Sequence, residues 1–90
     1  MPSPRKKAAV SRSATPEAIF GQIVREKRLA LGLRQVDLVT EDGVSQVHIG
    51  RIEAGKTQVC LKGIIQIAEG LEMSIVELMG EFEKRRLSRR

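Results

Sequence analysis

Glutamine, valine and arginine on one side of a short amphipathic segment are the most chemically suggestive feature of the sequence. In Gln46-Val47-His48-Ile49-Gly50-Arg51-Ile52-Glu53 the two isoleucines stand three apart and share a face, which leaves Gln46, Val47, Gly50 and Arg51 on the opposite one. A Gln carboxamide pairs bidentately with adenine, an Arg guanidinium with guanine, and a Val meets a thymine methyl. Gly50 lets the backbone approach a sugar or base, although glycine inside a helix costs about 1 kcal/mol relative to Ala, and helix crowding explains it equally well. This chemistry is recognition, not turnover. One His, one Cys and scattered acids provide no convergent nucleophile and base. A closed zinc site needs four N or S ligands, and a lone Cys forms no internal disulfide, so neither metal nor cofactor is expected.

To present that face, the segment must be held by other helices. Thr15-Pro16-Glu17 offers a capping hydroxyl, a proline at the first helical position and an acid in the first turn, predicting a helix to about Leu31 that stops at Gly32. A short second helix is expected over Arg34–Glu41, ending at Asp42-Gly43 with Gly43 in a left-handed turn. Ser45 then caps the third helix, from Gln46 to about Glu53. Leu61, Ile64, Ile65, Ala68 and Leu71 have the spacing of a fourth amphipathic helix. Ser74 with Glu77 is a capping-box signature for a fifth, with Ile75, Leu78 and Met79 inward. No strand or repeat is expected. The fold class is all-α: a bundle of five helices in which the second and third form a helix-turn-helix, the unit that places a helix in the major groove.

Ninety residues allow one small domain. Two Phe with no Trp or Tyr speak against base-stacking platforms and an aromatic membrane belt. No apolar run spans a bilayer and no signal-peptide core follows the basic N-terminus, so a cytoplasmic location, nucleoid-associated when bound to DNA, is expected. The formal net charge of +5 is unevenly placed: residues 1–16 and 84–90 hold nine Lys or Arg and no acid, whereas 17–83 hold seven against eleven Asp or Glu. The expected organisation is a basic arm at 1–14, a domain at 15–83 and a basic tail at 84–90. The tails either attract phosphate in a salt-dependent way or are simply solvated ends.

Gly21-x-x-Val24-Arg25-x-x-Arg28-x-x-x-Gly32-Leu33-x-Gln35-x-x-Leu38, then Gly43-Val44-Ser45-Gln46 and Ile49-x-Arg51-Ile52-Glu53-x-Gly55-Lys56, resembles the phage-repressor family of DNA-binding domains, the Cro/CI or Xre type, over about residues 19–80. The resemblance implies that Gln46, Val47 and Arg51 read bases. It places Gln35, Lys56 and the amides after Gly55 on the DNA backbone, where contacts fix register without reading sequence; Arg34, which departs from the family pattern, and Ser45, His48 and Thr57 are expected there as well. It also implies a structural ion pair between Arg28 and Glu53. Arg34 and Cys60 stand where Ser or Thr usually caps a helix, each lost cap being worth about 1 kcal/mol.

The resemblance further implies a sequence-specific regulator of double-stranded DNA, and so small a core, which buries little of its surface, points to a twofold dimer on a palindromic operator. Ile67, Met73, Val76, Met79 and Phe82 exceed the evident needs of a small core and are the expected dimer contact, although Met73 and Met79 serve equally well to close the monomer core. With no sensor domain in the sequence, three roles remain open: a stand-alone repressor, a restriction-modification controller, and an antitoxin with a toxin partner. An enzyme has no support, and a protein-interaction module without DNA binding is the rival reading.

Overall fold

The N-terminal boundary of the first helix is set by Thr15, whose Oγ1 accepts the Ala18 N–H at 3.2 Å just ahead of Pro16. The structure is a computed structural model that describes residues 15–88; the basic arm at 1–14 lies outside them. Helix α1 spans Pro16–Ala30, and a 3₁₀ turn covers Gln35–Leu38. Helix α2 spans Gln46–Glu53, α3 Leu61–Gly70 and α4 Ile75–Ser88. Among the described residues there is no strand.

Two boundaries use the same device. At Gly32, φ is 72°, and the Leu33 and Gly32 amides donate to the Arg28 and Leu29 carbonyls, closing α1. The end of α3 repeats those hydrogen bonds with a non-glycine residue, Glu72, at φ 60°. Helix α4 opens with the expected reciprocal cap: Glu77 N–H donates to Ser74 Oγ at 3.0 Å, and Ser74 N–H donates to Glu77 Oε1 at 2.8 Å.

Helix α1 packs on both α2 and α4, while the 3₁₀ turn sits between α2 and α3. Ile23, Val24, Leu38, Ile49, Ile52, Ile67 and Leu78 form the fully buried centre. Burial of side chains this size stabilises by about 1.5–3 kcal/mol each relative to exposure. Phe20 and Phe82 close one end edge-to-face, with ring centroids 6.5 Å apart.

The structure corrects several expectations. Among the described residues there are four α-helices, not five, because the anticipated second helix is a single 3₁₀ turn. Its chain leaves helical geometry at Val39 (φ −84°, ψ 139°), and the Leu38 carbonyl is turned to Gln66 Nε2, 2.8 Å away. Gly43 is not left-handed; the Gln66 carboxamide occupies the space that a Cβ there would need. Leu61 and Ile65 were expected on the inner face of α3 but are 80% and 48% exposed, since Gln66 and Ile67 turn inward instead. Cys60 is no lost cap: its Sγ accepts the Gly63 N–H at 3.4 Å.

The anticipated domain end at residue 83 lies within α4, which continues to Ser88. Arg85 joins Glu26 of α1 at 2.7 Å and Glu81 at 2.8 Å, and Arg86 pairs with Glu83, so two cations assigned to a tail are engaged in ion pairs. Hydrogen bonding to Arg85 holds the Glu26 and Glu81 carboxyls below the usual range, and both pairings raise the Arg85 pKa.

Candidate nucleic-acid interface

Helix α2 begins at Ser45, whose Oγ accepts the His48 N–H at 3.3 Å, so this hydroxyl is engaged in capping. It ends at Gly55 (φ 73°), with the Lys56 and Gly55 amides donating to the Arg51 and Ile52 carbonyls at 2.9 and 3.0 Å. The Lys56 amide, one of those after Gly55 expected to meet a DNA backbone, is thereby hydrogen-bonded within the fold. Thr57 is half-buried and its hydroxyl donates to the Gln58 carbonyl at 3.5 Å, whereas Lys56 is exposed.

Ile49 and Ile52 are buried beneath α2, at 0% and 1% exposure. Gln46, Val47 and Arg51 are exposed, Val47 by 69%, and Gly50 and His48 are half-buried. The helix therefore presents its Gln/Val/Arg side outward. A Cβ built on Gly50 meets only the Gln35 carboxamide, at 3.6 Å, an ordinary contact. Internal packing thus does not require glycine there. Gly21 of α1 is a different case, because the Ile52 carbonyl occupies the place of its missing Cβ.

Glu53, the last residue of α2, is tied down by three groups. Arg28 Nε donates to Oε2 at 2.7 Å and Nη2 to Oε1 at 3.0 Å, while Gln35 Nε2 donates to Oε1 at 3.1 Å. Arg28 also donates to the Leu33 carbonyl at 2.8 Å. One buried guanidinium thus links α1, the end of α2 and the chain entering the 3₁₀ turn. The hydrogen bond to Glu53 raises the Arg28 pKa, against the opposing effect of burial.

Arg34 is exposed but not unengaged: its Nη2 donates to Asp37 Oδ1 at 3.0 Å, and its backbone N–H donates to Asp37 Oδ2 at 2.7 Å. Asp37, at the third position of the turn, reaches back to the Arg34 N–H as the return half of a capping box, and hydrogen bonding to Arg34 lowers its pKa. Gln66 completes the scaffold by donating to the Leu38 and Val44 carbonyls and accepting the Val44 N–H. Sequence reasoning missed both. The available signals were an acid three residues after Arg34 and a lone Gln within Ile64-Ile65-Gln66-Ile67-Ala68.

The residues anticipated for a dimer contact separate. Ile67 is fully buried in the monomer core, so it lies on no surface. Met73, Met79 and Phe82 are half-buried and pack against that core, and Val76 stands out at 81% exposure. An open apolar groove of about 270 Å³ lies between α1, α3 and α4, lined in part by Phe20, Val59, Ile64, Met79 and Phe82. Among the described residues no His, Cys, Asp or Glu cluster is placed to hold a metal ion, and no helix is long and apolar enough to cross a membrane.

A helix-turn-helix family model matches residues 24–78, more than half of the chain. No curated protein and no solved structure matches it. The match begins about two turns into α1, spans the Arg28–Glu53 pair and the outward face of α2, and ends at Leu78 in the core. The chain belongs to the helix-turn-helix family of DNA-binding regulators, the Xre or Cro/CI type.

Proposed function

We propose that the chain binds double-stranded DNA sequence-specifically, with the Gln35–Leu38 turn and α2 as its helix-turn-helix pair and α2 in the major groove. The observation that carries this reading is the sidedness of α2: Ile49 and Ile52 are buried, while Gln46, Val47 and Arg51 face solvent. In this reading those three exposed residues meet base edges, Gln46 suiting adenine, Arg51 guanine and Val47 a thymine methyl. Arg34, Gln35, Ser45, His48, Lys56 and Thr57 flank them on the phosphate side and set register.

The regulator acts as a homodimer on a palindromic operator, its two α2 helices about 34 Å apart on successive major-groove faces. Val76, exposed on α4 beside the half-buried Met79, is the apolar side chain best placed to join two copies. Enrichment of bound duplexes from a random pool tests the reading. The expected product is an inverted repeat with half-sites about 10 base pairs apart. Arg51→Ala then loses about 1–3 kcal/mol on that site and relaxes preference at one position per half-site. Failure to enrich any sequence, with binding indifferent to Arg51, overturns it.

A further inference from the structure

The stripe of α1 facing the end of α2 runs through Ala18, Gly21, Arg25 and Arg28, the spacing of one helix face. Three of the four are used in packing. Ala18 Cα lies 3.0 Å from where a Cβ on Gly55 would sit, Gly21 makes room for the Ile52 carbonyl, and Arg28 is buried on Glu53. Arg25 differs. Its side chain is 59% exposed, and its Nη1 lies 4.0 Å from Glu53 Oε1, beyond hydrogen-bond range.

Glu53 has little left to offer it. Its Oε1 already accepts from Arg28 at 3.0 Å and Gln35 at 3.1 Å, and its single negative charge is balanced by Arg28. Arg25 is therefore a surplus cation, and its side chain donates no hydrogen bond to any described residue, leaving a five-donor fork for an external acceptor. Its location is defined by the same network: Gln35 lies against Gly50, and Glu53 ends α2. The guanidinium stands near Glu53, at the C-terminal end of α2.

We propose that Arg25 is a phosphate-binding residue, which grips the DNA backbone beside the end of α2. This rests on the DNA-binding reading above and adds to it a contact from α1. Planar guanidinium donors suit phosphate oxygens bidentately. With its own side chain largely in solvent and 4.0 Å from a carboxylate already balanced by Arg28, Arg25 contributes little to the fold, so its loss leaves the fold intact.

The test is the salt dependence of affinity for an enriched duplex, measured on the full chain and on Arg25→Gln and Arg25→Lys. Arg25→Gln is expected to lower the slope of log K against log salt by about 0.9, and to weaken binding about eightfold at about 0.1 M salt, the effect of one released counterion. The loss should be the same on unrelated duplexes, Arg25→Lys should keep the slope, and Arg25→Gln should melt like the unsubstituted chain. An unchanged slope, a loss confined to one base position, or a slope change accompanied by a lowered melting temperature overturns the assignment of Arg25 alone. If the unsubstituted chain binds no duplex, the DNA reading fails first and the contact with it.

Discussion

Gln66 and Val44 are hydrogen-bonded in both directions: Gln66 Oε1 accepts the Val44 N–H at 2.8 Å, and Gln66 Nε2 donates to the Val44 carbonyl at 3.3 Å. The same Nε2 reaches the Leu38 carbonyl at 2.8 Å, so a side chain of α3 fastens both ends of the loop leading into α2. Gln66→Leu keeps the volume and strands those backbone groups. It should cost at least about 3 kcal/mol in urea unfolding, at about 1–3 kcal/mol for each of the three backbone groups left unpaired. Amide exchange at Val44 should accelerate by more than at Ile23; equal acceleration would mean that the loop has no special dependence on Gln66.

The Arg28–Glu53 pair makes a second stability prediction. Removing one partner of a buried pair leaves the other charge uncompensated, so Arg28→Ala should lose about 3–5 kcal/mol. Arg28→Lys keeps the charge but not the bidentate fork, and should lie between the two in a denaturant titration.

At Gly50 the expected signs oppose each other. A methyl group there makes only an ordinary contact with Gln35, so Gly50→Ala should raise the thermal midpoint, by about 0.5–1 kcal/mol of helix stability. Under the proposed function the same methyl obstructs approach of α2 to DNA, and affinity should fall. Calorimetry and a binding titration on one preparation check both signs.

Glu72 occupies a left-handed position at φ 60°. This conformation costs an L-residue about 1–2 kcal/mol, partly offset because glycine loses more chain entropy on folding. Glu72→Gly should therefore stabilise the fold by about 0.5–1 kcal/mol, seen as a higher urea midpoint at unchanged slope.

Acid should loosen the contact between α4 and α1. Arg85 holds Glu26 and Glu81 below the ordinary carboxylate value of 4.5, chiefly by hydrogen bonding. Because the folded values are the lower ones, the stability from these contacts is complete above that pH and is lost as pH falls through the depressed values. The urea midpoint should drop across this acid window, and Arg85→Gln should flatten that drop while leaving the Asp37–Arg34 contribution in place.

Most of the helices were legible because their signals are local. Thr15-Pro16 and Ser74-x-x-Glu77 satisfy backbone donors within one turn of themselves, and Gly32 supplies a conformation no neighbour needs to enforce. The inward pair Ile49 and Ile52, three apart, also predicts which side of α2 faces outward.

Tertiary packing decided what depended on residues distant in sequence. Whether Arg34–Glu41 forms a helix turned on Gln66, 28 residues beyond Leu38, taking a carbonyl that a longer helix would have used. The burial of Ile67, the exposure of Leu61 and Ile65, and the holding of Arg85 by Glu26 likewise follow from how helices are rotated against one another. Periodicity specifies that a face exists; the neighbour packed against it determines its centre, because hydrogen bonds and apolar contacts across the core are made only once the chain has closed on itself.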